Sequence, residues 1–110
     1  MEISQIEQMK QDLSREIQKK GYMTLKYVLF NEADRTPFAI HIFYKDGDFM
    51  VNSRDDRACV YGKAFIFSNF QEAKLKFLSI LDFIVREGRR EVQKRGFYMY
   101  SSPLWDKTDD

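Results

Sequence analysis

His41 and Cys59 are the only residues in this sequence that could form a thiol nucleophile and its base. Such a pair works within direct hydrogen-bond reach, because the imidazole has to take the thiol proton. Each lies in an apolar run that reads as a strand, and an antiparallel meander would place another strand between them, roughly 9–10 Å of separation. The expectation is a histidine on a sheet face and a cysteine serving as a small hydrophobe. A serine triad would need the same His41 and a G-x-S-x-G elbow, which is absent. Carboxylates offer another route. Asp46 and Asp48 fall in one turn and Asp55 and Asp56 in a second, where Asp side chains bond nearby backbone amides. The two turns bound one strand at opposite ends and cannot share a metal. No EF-hand, P-loop or dinucleotide glycine pattern is present. One cysteine and one histidine also exclude an internal disulfide and a structural zinc site. The sequence predicts no catalytic set, no metal and no cofactor.

The elements that would carry these residues follow from periodicity. Ile3, Ile6, Met9, Leu13 and Ile17 recur at steps of three or four, predicting an amphipathic helix over residues 2–20. Lys19 and Lys20 suit its negative end, and Gly21 suits a left-handed C-terminal cap. Residues 23–30 alternate as a half-buried strand, closed by the polar loop 31–37. A second run, 38–44, meets Asp46-Gly47, the strongest short hairpin signal. With those two as turn residues, Tyr44 faces Phe49, Ile42 faces Val51 and Ile40 faces Ser53 on the core side. Phe43 with Met50, His41 with Asn52 and Ala39 with Arg54 fall on the other.

Arg54-Asp55-Asp56-Arg57 reads as a four-residue turn closed by Ser53 and Ala58. The fourth strand, 58–67, would then turn Ala58, Val60, Gly62, Ala64 and Ile66 to the core and leave Cys59, Tyr61, Phe65 and Phe67 opposite. Asn69 and Glu72 form a capping-box pattern before a second helix, whose stripe is Phe70, Ala73, Phe77, Ile80, Leu81, Ile84 and Val85. Gly88 and the charged run 86–95 weaken that stripe, so the last two turns are expected in solvent before Gly96 stops the helix. Residues 97–100 could add an edge strand, Ser102-Pro103 breaks it, and 106–110 reads as a frayed tail. The expected fold is α+β: a four-stranded, or with the edge five-stranded, antiparallel meander flanked by an N-terminal and a long C-terminal helix.

Composition bounds the rest. The 110 residues, 44% apolar and 15% aromatic, suit one domain spanning 1–110 and exclude disorder. Eighteen Lys and Arg against 17 Asp and Glu leave a net charge of +1, so no global field steers the protein to nucleic acid or an anionic membrane. No signal-peptide pattern opens the sequence and no apolar run could span a membrane, so the cytoplasm is the expected compartment.

Two surface features remain. Residues 86–95 hold five cations (Arg86, Arg89, Arg90, Lys94, Arg95) against two Glu. With an aromatic strand face, they make a small nucleic-acid-binding module the alternative reading, though the RNP motif of an RRM is absent. The stronger feature is aromatic: Tyr98, Tyr100 and Trp105 lie where no long core run is expected, and such residues anchor protein interfaces. Tyr61 and Phe65 are further candidates, with Asp55 and Asp56 as a polar rim. A protein partner is the expectation, and a second copy of the same protein is one possibility.

Within residues 65–78, a strand ends in Ser68-Asn69 and a helix opens with Glu72-Ala73 and continues through Lys76-Phe77. This segment resembles small bacterial immunity proteins of polymorphic and secreted toxin systems. The resemblance implies a non-catalytic inhibitor that binds and masks a cognate toxin domain in the producing cell.

Overall fold

A computed structural model describes residues 1–106 of the protein. Asp46 and Gly47 both take positive φ, 54° and 86°, as a two-residue hairpin turn of the primed kind requires. The turn fixes the register of β2 (Ile40–Lys45) on β3 (Asp48–Arg54). Tyr44 pairs with Phe49, Ile42 with Val51 and Ile40 with Ser53, as the sequence predicts. Ile40, Ile42, Phe49 and Val51 are buried on the face that meets α2 (Phe70–Arg95). The sheet order is β1-β2-β3-β4, completed by β1 (Tyr27–Leu29) and β4 (Val60–Phe67).

The edge strand corrects the meander. β1 has three residues, not the eight of 23–30, and pairs with β2 in parallel, so the sheet is mixed within an α+β fold. Parallel neighbours need a connection that returns the backbone to the same end of the sheet. Residues 30–39 supply it, leaving β1 and entering β2 through left-handed residues at Phe30 (φ 56°) and Phe38 (φ 63°). The same segment meets the sheet's second face, where His41, Phe43, Asn52 and Arg54 are buried, the Glu32 carbonyl accepting from Arg54 at 3.4 Å.

The β3–β4 loop is one residue longer than the four-residue turn, which reverses the expected face of β4. The Asp55 N–H donates to the Cys59 carbonyl (2.9 Å) and the Ala58 N–H to the Asp55 carbonyl (3.0 Å), with Ala58 left-handed at φ 62°. Within those five residues, 55–59, Asp55 and Cys59 close an inner three-residue loop made of a β-turn and a left-handed residue, with alanine where glycine is usual. A one-residue slip turns a strand over. Ser53 therefore pairs with Tyr61, Val51 with Phe65 and Phe49 with Phe67. Tyr61, Phe65 and Phe67 are on the helix side, while Val60 and Ile66, expected in the core, are 53% and 61% exposed.

α1 (Ile3–Lys20) ends at Gly21 with φ 74°, and α2 is capped by Asn69, whose side-chain oxygen accepts from the Glu72 N–H (2.9 Å). Leu13 and Ile17 of α1 are fully buried in the same core as Phe77 and Leu81. Lys74 donates to Asp12 at 2.9 Å and Tyr22 to Asp82 at 2.8 Å, joining the two helices' polar edges. Burial, reinforced by that Asp82 carboxylate, raises the Tyr22 phenol to about 12.

The C-terminal stretch is not an edge strand. Residues 97–102 run without strand pairing into a 3₁₀ turn, Pro103–Asp106, which buries Leu104 and Trp105; residues 107–110 of the expected frayed tail lie outside the described residues. Nor do the last two turns of α2 stand wholly in solvent, for Val92 packs half-buried against the core; just before them Gly88 is buried, and a β-carbon there would overlap the Trp105 indole at Cε3, Cζ3 and Cδ2. Gly88→Ala is expected to destabilise the fold by about 1–2 kcal/mol, overpacking outweighing the roughly 1 kcal/mol of helix propensity gained. Urea unfolding and the emission of the single Trp test this. A more stable variant with unshifted emission would show that Trp105 is not seated on Gly88.

Candidate partner-binding surface

Three of the predicted anchors gather at one end of the molecule. The Tyr98 and Tyr100 rings lie 5.3 and 5.7 Å from Trp105, and the Trp105 Nε1–H donates to the Tyr100 carbonyl at 2.7 Å. Trp105 itself is only 4% exposed, so the tail folds back and its indole supports the two tyrosines from within. Tyr98 and Tyr100 are half-buried beside an open cavity of ≈500 Å³, which Phe97 and Val92 also line. Burial raises both phenols, Tyr98 to about 12 with the Glu87 carboxylate as a second cause.

The other predicted residues divide. Tyr61 is 49% exposed and close enough to influence the Tyr98 phenol. Phe65 is half-buried under the Lys76 ammonium, 4.1 Å from its ring centre. Asp55 is engaged within its own loop, its Oδ1 accepting from the Arg57 and Cys59 N–H groups at 2.9 Å each, whereas Asp56 is exposed. The loop still borders the aromatic cluster: the Asp55 carbonyl accepts from the Phe38 N–H (3.0 Å), and the Phe38 ring lies 6.1 Å from Tyr100. Phe97, 67% exposed, adds an aromatic outside the anchors that the sequence predicts. Its signal is an aromatic directly after the helix-stopping Gly96.

The second face holds polar groups that the register placed there without indicating their burial. Arg54, 5% exposed, donates to Asn52 Oδ1 (3.2 Å), the Ala58 carbonyl (3.2 Å) and the Glu32 carbonyl (3.4 Å). His41 is fully buried, its ring edge-on to Phe43, and neither nitrogen has a hydrogen-bond partner among the described residues. β3 separates it from Cys59, which precedes β4, so the strand order does not join the two as a dyad. Among the described residues no group of three His, Cys, Asp or Glu side chains is placed to hold a metal. No helix there is long and apolar enough to cross a membrane.

The α+β scaffold thus presents half-buried aromatic rings around an open cavity at one end of the molecule. The chain belongs to the immunity protein 59 family, Imm59, whose sequence model matches residues 6–106. Comparison with curated proteins finds no match, and comparison with solved structures finds none either. The family supports a toxin-neutralising role.

His41 gives the fold a pH dependence of known sign. Desolvation, then the nearby Arg54 charge, lowers its folded pKa from 6.5 to about 4. The fold thus holds it neutral, and stability falls as pH drops from 6.5 towards 4 because the unfolded state takes the proton first. The contribution is about 3 kcal/mol across that window. In urea unfolding between pH 7 and pH 4, His41→Phe is expected to flatten the wild-type decline by that amount. Parallel curves for the two proteins would remove His41 as the cause.

Proposed function

We propose that this protein is a non-catalytic inhibitor that binds a cognate toxin domain in the cytoplasm of the producing cell, without a cofactor. The contact surface is the end of the sheet bearing Tyr61, Tyr98 and Tyr100. Trp105 steadies the rings from beneath, Asp55 and Asp56 border them, and Phe65 lies at the margin. The observation that carries the reading is the family match, together with half-exposed aromatic rings around an open cavity. Rings of this kind lose little conformational entropy on binding and supply large contact areas, the properties of interface hot spots. A stable complex would cover about 800 Å² on each partner.

The test is co-expression with a toxin encoded by a neighbouring gene. Wild type is expected to rescue growth and to co-purify with the toxin. Tyr98→Ala or Tyr61→Ala, with unfolding midpoints checked, should weaken the complex by about 30-fold or more, as for a hot-spot residue. Cell death in the presence of wild type, or failure of the two proteins to co-purify, would defeat the reading. Unchanged affinity in both variants would move the contact surface away from this end of the sheet.

A further inference from the structure

The second face offers a site of different chemistry. Between the 30–39 connection and the β3–β4 loop lies a cavity of ≈520 Å³, with Arg35, Lys45, Arg54 and Glu32 in its walls and Cys59 and Val60 at its margin. Three cations face one carboxylate, and that carboxylate is already paired, Glu32 with Lys45 at 3.1 Å. Arg54 is buried with three neutral acceptors and no carboxylate partner among the described residues. A guanidinium carries five N–H donors, so two remain beyond those three bonds. Arg35 turns one nitrogen onto the carbonyls of Glu32, Ala33 and Asp34 (3.3, 3.1 and 3.4 Å) and has no carboxylate either. Asp34 is near enough for its charge to be felt by Arg54 but makes no ion pair with either arginine, its Oδ1 accepting instead from the Thr36 N–H at 2.8 Å. Burying an arginine without an anion is costly, and an incoming carboxylate relieves that cost with charge-assisted, fork-shaped hydrogen bonds.

We propose that this cavity is a carboxylate-binding site that receives an Asp or Glu side-chain carboxylate, or the terminal carboxylate, of a protein partner, with Arg54 at its wall and Arg35 at its entrance. Nucleic acid is the poorer fit. Its backbone needs a run of cations along a groove, whereas here the cations line one cavity that also holds Glu32, on a protein of net charge +1. The identity of the partner rests on the toxin-neutralising reading; the preference for a carboxylate does not.

Cys59 is exposed at the cavity margin and is the only cysteine in the sequence, so its alkylation by iodoacetamide reports occupancy. Hexaglutamate peptide is expected to slow alkylation saturably, and hexaglutamine not at all. Arg35→Glu, at an exposed position, should weaken the hexaglutamate effect by about tenfold, the loss of one charge-assisted contact, with an unchanged circular dichroism spectrum. Equal alkylation rates with and without hexaglutamate, or protection at lower concentration by a thymidine hexanucleotide, would overturn the site. In the co-expression assay, Arg35→Glu should capture the toxin about tenfold less well than wild type. Undiminished capture by the variant would overturn the cavity as a toxin contact while leaving neutralisation intact. Failure of wild type to capture the toxin, with hexaglutamate still protecting Cys59, would defeat neutralisation and uphold the carboxylate site.

Discussion

A glycine inside a helix costs about 1 kcal/mol against alanine, and α2 carries one at Gly88 because the Trp105 indole occupies the space a side chain would fill. Burying a tryptophan removes roughly 150–250 Å² from water, on the order of 5 kcal/mol at ~25 cal/mol per Å², so the packing term outweighs the propensity term. The rest of the C-terminal stretch is arranged around that contact. Arg89 Nε–H donates to the Leu104 carbonyl at 3.0 Å, the Ser102 and Thr24 hydroxyls meet at 3.0 Å, and the Lys26 N–H donates to the Tyr100 hydroxyl at 3.2 Å. Tyr98 and Tyr100 owe their positions to this anchorage, between the C-terminal half of α2 and the segment leading into β1.

What the sequence made legible was local. The Asp46-Gly47 turn demands positive φ at two adjacent positions, and the residue types announce it, so the β2–β3 register and its buried face followed directly. The helix ends were legible for the same reason, with Gly21 and Asn69 occupying positions their chemistry favours. β1 was not legible, because its parallel pairing depends on a connection whose path no short-range pattern encodes. β4 was misread through a single residue. Ala58 adopts the left-handed conformation that glycine would have advertised, and the extra loop position exchanged the strand's two faces.

The candidate site was legible as composition and less so as placement. Aromatic residues after α2 stood out, but Gly88 read as a weakness in the helix rather than as the seat of Trp105, so the indole's interior position was hidden. The second face was present in the register as His41 opposite Asn52, and its burial was not, since what covers it is the polar connection 30–39. Polar sequence over a sheet normally signals solvent. Here it encloses a neutral imidazole and a buried guanidinium, and the guanidinium's charge helps hold the histidine unprotonated.

The β3–β4 loop is also the piece both candidate surfaces share. On one side the Asp55 carbonyl holds the Phe38 N–H, and the Phe38 ring borders Tyr100 in the aromatic cluster. On the other the Ala58 carbonyl accepts from Arg54 and Cys59 borders the basic cavity. A partner covering about 800 Å² would be wide enough to meet aromatic rings and cations together. Such a contact would combine apolar anchors with a charge pair that fixes orientation, the division of labour between affinity and specificity expected at protein interfaces. The conformation of Ala58 therefore matters beyond its own turn: it sets the register of β4, which carries Tyr61 to the aromatic end, and it directs a backbone carbonyl at the guanidinium that gives the cavity its charge.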